Sequence, residues 1–380
     1  METRKLFYED CNLTSFSAAV LSCQAAEGGY LVALDATAFY PEGGGQAADT
    51  GTLDRVRVLH TRETDGQILH LCDGPLTVGK TVAGQVDWEA RFDRMQQHTG
   101  EHILSGLIHQ RFGYHNVGFH IGKDVMEVDF DGPIPMEAVA ELEEEANRRV
   151  WADLTVNCYV PSPEELAQTV YRTKRVLPWP VRIVEIPGTD SCACCGVHTE
   201  RTGQVGIIKI LSCVKFHGGV RLEMVCGQRA YRYLAEIFEE NRTVSQTFSA
   251  KMLETGAAAE KVSRQLAAEK FRAAALEKRV FAGIAKSYVN CEKVIHFEPD
   301  LTPAGVRELA EAISGVCGWA AVFSGSDEGG YSYCLAAPEQ DLRILNRELT
   351  QALSGRGGGK PAFQQGNLRA TESEIKAFFK

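Results

Sequence analysis

Two pairs of side chains in this 380-residue sequence could together hold a metal ion. His98 and His102 are four positions apart in a segment with helical periodicity, which places both imidazoles on one face of a helix, one turn apart. Cys194 and His198 form a second pair, separated by a short segment that contains a glycine. Three imidazoles and one thiolate make a tetrahedral donor set that suits zinc. The spacing therefore predicts one zinc ion (Zn2+) per chain, bound by these four side chains.

The identity of the cysteine ligand has two alternatives. Cys192 and Cys195 lie close enough to Cys194 in the sequence to compete with it for the ion. They also have the Cys-x-x-Cys spacing of a redox pair. We favour Cys194 because its spacing to His198 gives a compact pair of ligands.

A peptidase motif overlaps the histidine pair. His98, Glu101 and His102 match the His-x-x-Glu-His pattern of certain metallopeptidases, in which Glu101 would act as the general base. Such enzymes take a carboxylate as the third ligand, so Cys194 and His198 would have no role. A metallopeptidase is therefore the weaker alternative.

Composition and charge limit the classes of protein to which the chain can belong. Apolar residues make up 44% of the sequence, which is enough for packed cores and excludes a disordered or collagen-like chain. No segment reaches the roughly 20 apolar residues that span a bilayer, and dispersed cysteines are typical of a reducing compartment, so we expect a soluble, cytoplasmic protein. Acidic residues dominate the first half of the chain, whereas basic residues are in excess in the second half. A polyanionic partner should therefore bind the second half.

Four regions must position the candidate ligands, and together they predict an α+β fold. Short alternating runs broken by Gly, Pro and Asp predict a small, barrel-like β domain at 1–90, which contains a glycine motif. Helical periodicity followed by short strands predicts the metal-binding α+β domain at 91–228, with an antiparallel sheet. A proline-free, heptad-like pattern predicts a long helical connector at 229–289 with the potential to form a coiled coil. Alternating strands and helices predict a small α/β module at 290–380.

Four stretches, in the right order, resemble the freestanding alanyl-tRNA editing proteins (AlaX, long form), which are related to the editing region of alanyl-tRNA synthetase. Phe39–Gln46 is similar to the glycine motif of that family, and Met95–His102 to its His-x-x-x-His helix. Val181–Gly188 leads, as in the family, into the segment that ends in Cys194–His198. The C-terminal stretch that contains Gly357–Lys360 resembles the DHHA1 module that follows the editing domain of the synthetase.

The resemblance implies a trans-editing hydrolase that releases a wrong amino acid from the 3′-terminal adenosine of alanine tRNA. Serine is the expected amino acid, and glycine is a second candidate. Ser-tRNA(Thr) is the rival substrate, because the editing domain of threonyl-tRNA synthetase shares the metal-ligand pattern. A non-catalytic RNA-binding relative is a further alternative. The chain departs from the family at Val197, where a threonine is common, so a hydroxyl at that position has no counterpart here.

The motifs also nominate residues that contact the substrate. Glu101 is either a local base or a solvated helix residue, and zinc either activates water or anchors the substrate. Because cognate alanine is smaller than serine, the site must recognise the serine hydroxyl, and sites of that kind discriminate by about 10⁴ to 10⁵. The candidate hydroxyl contacts are Thr37, Gln97 and His120. We expect substrate to contact Gly43, Gly44 and Gly45, and tRNA to contact Gly357, Gly358, Gly359 and Lys360.

The expected partner is tRNA(Ala) charged with serine or glycine, and no membrane is involved. Basic side chains of the long helical region can contact its phosphates, and such binding weakens with salt. The long helix or the C-terminal module could also join two copies of the chain in a homodimer.

Overall fold

The structure is a computed structural model that describes residues 2–173 and 179–380. It comprises two compact units, Met1–Asn241 and Arg242–Lys380. Both units contain helices and sheets, so the mixed α+β class predicted from the sequence is confirmed. Among the described residues, none of the helices combines the length and apolar character needed to span a bilayer.

The first part of unit 1 consists mainly of strands. Its elements are β1 (Arg4–Lys5), α1 (Leu6–Glu9), β2 (Ser15–Ala26), β3 (Gly29–Leu34), β4 (Ala36–Thr37), β5 (Gly51–Leu53), β6 (Val56–Thr64), β7 (Gln67–Cys72) and β8 (Thr81–Val86). Six strands close into a barrel in the order β2-β3-β7-β6-β5-β8. Successive side chains of a strand point to opposite faces, so the alternating residues Val82 and Val86 of β8 are buried with Leu34 and Leu53 inside the barrel.

The rest of unit 1 is built around one long helix. The elements are α2 (Trp88–Phe112), β9 (Asn116–Ile121), β10 (Met126–Phe130), α3 (Met136–Trp151), β11 (Asn157–Tyr159), α4 (Pro163–Gln168), β12 (Ile183–Ile186), β13 (Asp190–Ala193), β14 (Ile208–Phe216) and β15 (Gly219–Cys226). The strands form two sheets, β14-β15-β10-β9 and β11-β12-β13. Asp87 caps the start of α2 by accepting from the Ala90 N–H at 3.3 Å, and Gly113 ends it in a left-handed conformation.

Helix α2 is buried on all sides along its middle. Every residue from Met95 to Ile108 is buried, and the helix packs against α3, β9, β13 and β15. Gly106 allows the approach of β13, because a Cβ there would lie 2.3 Å from the carbonyl oxygen of Thr189. The polar residues of this stretch are therefore largely shielded from bulk solvent, and those that face protein need a hydrogen-bond partner.

The segment predicted as one long helix contains two helices, α5 (Gly227–Thr247) and α6 (Thr255–Lys286). Ser249, which lies between them, has a positive φ of 51°, a conformation that ends an α-helix. The Ser245 side chain donates to the carbonyl of Ala250 at 2.6 Å and so replaces a lost helical hydrogen bond. The sequence predicts the helical character and a possible kink at Gly256, whereas the helices are separated a few residues earlier, at 248–254.

Unit 2 continues with one five-stranded sheet and its helices. The elements after α6 are β16 (Lys293–Phe297), α7 (Pro303–Ser314), β17 (Trp319–Ser326), β18 (Gly330–Ala336), α8 (Arg343–Ala352), β19 (Arg356–Lys360), β20 (Phe363–Leu368) and α9 (Glu372–Phe378). The strand order is β16-β17-β18-β20-β19. Thr302 caps α7 by accepting from the Gly305 N–H at 3.1 Å, and Pro303 suits its first turn. The glycines at 357–359 form β19, an exposed edge strand.

Candidate metal centre

The four predicted ligands converge in unit 1. His98, His102, Cys194 and His198 each offer one ligand atom, and these atoms all lie within 4.8 Å of one another. The three histidines are each only 2% exposed. The Cys194 Sγ lies 3.4 Å from the His98 Nε2. One helix, α2, supplies two of the ligands, and the segment after β13 supplies the other two, so the structure brings together what the spacing predicted.

His198 gives an independent test of whether this cluster suits a metal ion. Both of its ring nitrogens are buried, and neither has a hydrogen-bond partner among the described residues. Buried polar atoms are almost always paired, because an unpaired one costs about 1–3 kcal/mol. A metal ion would satisfy a bare imidazole nitrogen in this position. The donor set and the unpaired ring therefore fit a bound ion of the kind that takes nitrogen and sulfur ligands.

Electrostatics around Cys194 favour the ionised form that a metal requires. Burial alone raises the pKa of the Cys194 thiol, but the neighbouring His98 and His198 outweigh burial and hold it well below its usual value. For His198, burial followed by the charge of His98 lowers the pKa well below its usual value, which favours a neutral ring. A thiolate and a neutral imidazole are the forms that bind a metal ion.

The other two histidines are oriented by side chains from elsewhere in the chain. Gln46, in the loop between β4 and β5, accepts a hydrogen bond from the His98 Nδ1 at 2.9 Å. The His102 Nδ1 donates to the Asp190 carboxylate at 2.8 Å. With Nδ1 occupied in both rings, Nε2 is left free to act as a ligand.

Asp190 is itself fixed by an arginine. The Arg172 guanidinium donates to both oxygens of Asp190, at 2.7 and 2.8 Å. Burial lowers the pKa of His102, but its hydrogen bond with Asp190 and the nearby Cys194 and Glu101 hold that pKa well above its usual value. Arg172, Asp190 and His102 thus form a buried chain of charge-assisted hydrogen bonds that ends at a candidate ligand.

The other two cysteines are less well placed than Cys194. The Cys195 Sγ lies 3.9 Å from the Tyr40 hydroxyl and is absent from the four-residue cluster. Cys192 groups with His102 and Asp190, but the two oxygens of Asp190 already bind Arg172 and His102. Among the described residues, the set that contains Cys194 is therefore the better metal site.

The candidate ligands open on a cavity of about 950 Å³, which is large enough for a small molecule or a nucleotide. Its wall includes His98, His102 and Cys194, together with Gly44 and Gly45 of the glycine motif. Both glycines have positive φ values, 59° and 82°. A Cβ on Gly45 would also lie 2.5 Å from the Phe119 ring, so this loop needs glycine to pass so close to β9.

Of the four predicted catalytic residues, Glu101 alone lines this cavity. Gln97 is buried and hydrogen-bonds the backbone of Cys226, at 2.7 and 2.9 Å. Thr37 is buried in a hydrogen bond with His70 at 2.9 Å. His120 is exposed on β9. The structure therefore brings Glu101 to the ligand cluster but does not place Gln97, Thr37 or His120 on the cavity wall.

Two of the three glycines that we expect to contact substrate lie at the cavity. Gly44 and Gly45 line the cavity, whereas Gly43 does not and pairs with Gln46 in an isolated bridge. Gly357–Lys360 lies in unit 2, on the exposed edge strand β19.

Three site residues were missed from the sequence: Gln46, Asp190 and Arg172. Gln46 ends the glycine motif, and Asp190 lies four residues before Cys194, so closeness to a motif was the available signal for both. Arg172 had no such signal. It lies 18 positions before Asp190, and a backbone bridge between Arg172 and Cys192 brings its guanidinium next to that carboxylate.

Two family models match the chain. Residues 3–90 match the tRNA synthetases class II (A) model. Residues 181–222 match the second additional domain of threonyl and alanyl tRNA synthetases, and this range contains Cys194 and His198. The matched regions thus include the barrel and one of the two ligand pairs.

Curated relatives match over most of the chain. An alanine–tRNA ligase of Ignicoccus hospitalis is 32% identical over 94% of this chain and 40% of its own length. The alanyl-tRNA editing protein Aarsd1 of Danio rerio is 27% identical over 98% of this chain and 96% of its own length. The alanyl-tRNA editing protein AlaX-L of Pyrococcus horikoshii is 33% identical over 62% of this chain and 61% of its own length. The chain spans about two fifths of the ligases that it matches. Over nearly its whole length, the ligand cluster included, the chain is therefore similar to proteins named alanyl-tRNA editing proteins.

Proposed function

We propose that the protein is an aminoacyl-tRNA deacylase that hydrolyses the ester of mischarged alanine tRNA, with Ser-tRNA(Ala) as the main substrate and Gly-tRNA(Ala) as a second. The observation that carries the proposal is the buried set of three histidines and one cysteine that opens on a 950 Å³ cavity. The same arrangement lies in a chain similar to proteins named for alanyl-tRNA editing. We place this activity in the cytoplasm, where tRNA is charged.

We propose zinc as the ion held by His98, His102, Cys194 and His198, because this donor set suits it. When bound, zinc would supply a positive charge that polarises an ester carbonyl or lowers the pKa of water. The chain's own contribution is orientation. Gln46 and Asp190 fix the two α2 imidazoles, and the cavity surrounds the scissile ester with protein rather than bulk water.

The glycine loop and Glu101 complete the proposed substrate site. Gly44 and Gly45 present backbone to the cavity without side chains, which lets an aminoacyl group approach closely. Glu101 offers a carboxylate on the same wall and can accept a hydrogen bond from the substrate. Gln97, Thr37, His120 and Gly43 are not part of this proposed substrate site.

The second unit is the proposed tRNA-binding part, with a DHHA1-like layout. Lys360 and the glycines of β19 form an exposed edge at which backbone and a cation can both meet phosphate. Basic residues of α6 lie on a largely exposed helix, which could also pair with a second copy of the chain. Replacing Lys360 by alanine should weaken tRNA binding. The slope of the logarithm of the binding constant against the logarithm of the salt concentration should become shallower by about 0.7 to 0.9, the contribution of one phosphate contact.

The experiment that tests the function is the rate of amino-acid release from Ser-tRNA(Ala) by the zinc-loaded protein. Ala-tRNA(Ala) and Ser-tRNA(Thr) are run alongside, with the Cys194→Ala variant as the inactive control. We expect fast release from Ser-tRNA(Ala) and little from the other two. Release from Ser-tRNA(Thr) at the same rate would reassign the substrate, and release from none of them would refute the deacylase. A metallopeptidase is not favoured, because Cys194 and His198 complete the group that contains both histidines of the motif, and no carboxylate belongs to that group.

A further inference from the structure

The Glu101 carboxylate has one satisfied and one free oxygen. Glu101 is only 5% exposed, and the part of it that is not enclosed by protein lines the cavity. Its Oε1 accepts hydrogen bonds from the Ser105 hydroxyl and the Asn116 amide, each at 2.5 Å. Its Oε2 accepts no hydrogen bond from the described residues and lies 4.0 Å from the His102 Nε2. Because Glu101 lines the cavity, this oxygen can accept a hydrogen bond from a donor that enters the cavity.

Asn116 holds this carboxylate in a defined orientation. Because its Nδ2 donates to Glu101, its Oδ1 must face the other way, and this oxygen is buried without a partner among the described residues. Asn116 and Glu101 both line the cavity. Asn116 thus fixes the Oε1 side of the carboxylate, and Oε2 is left on the side of His102 and the cavity.

We propose that Glu101, positioned by Ser105 and Asn116, is the specificity-determining residue that accepts a hydrogen bond from the serine hydroxyl of the aminoacyl ester. This inference rests on the proposed deacylase function. Serine supplies the missing donor to Oε2. The methyl group of alanine fills the same space but cannot donate, and it leaves the carboxylate buried and unpaired. Glycine leaves room for a water molecule that can donate instead.

The expected selectivity follows from the chemistry of this contact. A steric pocket cannot exclude alanine, since alanine is the smaller residue. A hydrogen bond to a charged group, however, is worth about 10- to 150-fold in relative rate when it forms with only one of two substrates. This single contact therefore gives a substantial part of the discrimination that editing requires.

The first test compares Glu101→Gln with the wild type on Ser-tRNA(Ala) and Ala-tRNA(Ala). Glutamine keeps its carbonyl towards Ser105 and Asn116 and turns an amide donor towards the cavity, so the best acceptor is lost. We expect the ratio of kcat/KM for serine over alanine to fall by about 10- to 100-fold through the serine rate. Equal falls for both substrates would overturn the proposal, because Glu101 would then act on the part that they share.

Ser105→Ala is a milder variant that keeps the carboxylate but removes one of the two groups that orient it. It should lower the serine-to-alanine ratio in the same direction by a smaller factor. Ser212→Ala is the matched control, since Ser212 donates to Glu223 at 2.8 Å on the hairpin of β14 and β15. A loss of selectivity in Ser212→Ala as large as in Ser105→Ala would count against the proposal.

Binding gives a readout that does not depend on turnover. Two stable amide analogues, 3′-L-serylamino- and 3′-L-alanylamino-3′-deoxyadenosine, can be titrated calorimetrically while zinc content is measured in parallel. The wild type should prefer the seryl compound, and Glu101→Gln should lose that preference while keeping its zinc. A retained preference refutes the role of Glu101 alone, whereas a wild type that deacylates none of the tRNAs refutes the proposed function itself.

Discussion

Replacing Asp190 by asparagine should weaken zinc binding without disturbing the fold. Asp190 receives three hydrogen bonds, two from Arg172 and one from the His102 Nδ1. Asparagine has one acceptor oxygen where aspartate has two. If that oxygen faces His102, the amide N–H group points at the Arg172 donors. If it faces Arg172, then His102 loses the acceptor that fixes its tautomer and ring orientation.

The magnitude follows from the role of such contacts. A carboxylate that orients a metal-ligating histidine typically contributes 10- to 100-fold in metal affinity. The expected loss is therefore about 1.4 to 2.7 kcal/mol of zinc binding. The negative charge contributes as well, because it raises the basicity of the His102 ring.

The assay is competition for zinc against a chromophoric chelator, with circular dichroism to monitor the fold. Asp93→Asn is the matched control, because Asp93 also forms a bidentate pair, part-buried and with Arg229, but is not hydrogen-bonded to any of the four candidate ligands among the described residues. We expect Asp190→Asn to bind zinc 10- to 100-fold more weakly and Asp93→Asn to bind it normally. Equal affinities in the wild type and Asp190→Asn, with the fold intact, would refute the reasoning.

Three further changes test the site and the barrel. Cys194→Ala should remove zinc and ester hydrolysis together, as measured by metal analysis and serine release, and an active variant without zinc would disprove the site. Gly45→Ala should lower both zinc affinity and activity because its Cβ would meet the Phe119 ring, whereas Gly43→Ala, with its nearest contact at 3.5 Å, should leave both nearly unchanged. Burial lowers the pKa of His70 to about 4, below its ordinary value of 6.5, so the associated stability is present above pH 6.5 and is lost towards pH 4. The free energy of unfolding should fall by about 3 kcal/mol over this range. In urea unfolding, the free energy of unfolding of His70→Gln should therefore depend less on acid pH than that of the wild type.

The ligand set was predictable from the sequence because residue type and spacing carry it. Two histidines four apart on a helix share a face whatever the rest of the fold does, and a short glycine-containing segment keeps Cys194 close to His198. The supporting residues were less accessible. Arg172 reaches the site through a bridge between segments, which depends on tertiary packing that no local pattern records.

Two of the predicted contact residues, Gln97 and Thr37, lie away from the cavity wall for related physical reasons. Gln97 precedes His98 in the sequence, but successive residues of an α-helix are turned by about 100°, so its side chain meets the backbone of β15 instead of the cavity. Thr37 lies near the glycine motif along the chain, yet it is held by His70 of β7. A residue that is close in sequence to a candidate ligand therefore lies at the site only if it shares the helical face or the tight loop of that ligand.

The glycine motif has a structural role in the metal centre that its sequence does not reveal. The positive φ values at Gly44 and Gly45 turn the chain so that Gln46 points into the protein, where it is 1% exposed. Its Oε1 then accepts from the His98 Nδ1 and from the Val197 N–H, at 2.9 and 3.2 Å. One side chain thus joins the histidine helix to the Cys-x-x-x-His segment. The two ligand pairs come from distant parts of the sequence, and this shared acceptor from a third segment links them, together with the hydrogen bonds between Thr199 and Thr99 at 3.0 and 3.2 Å.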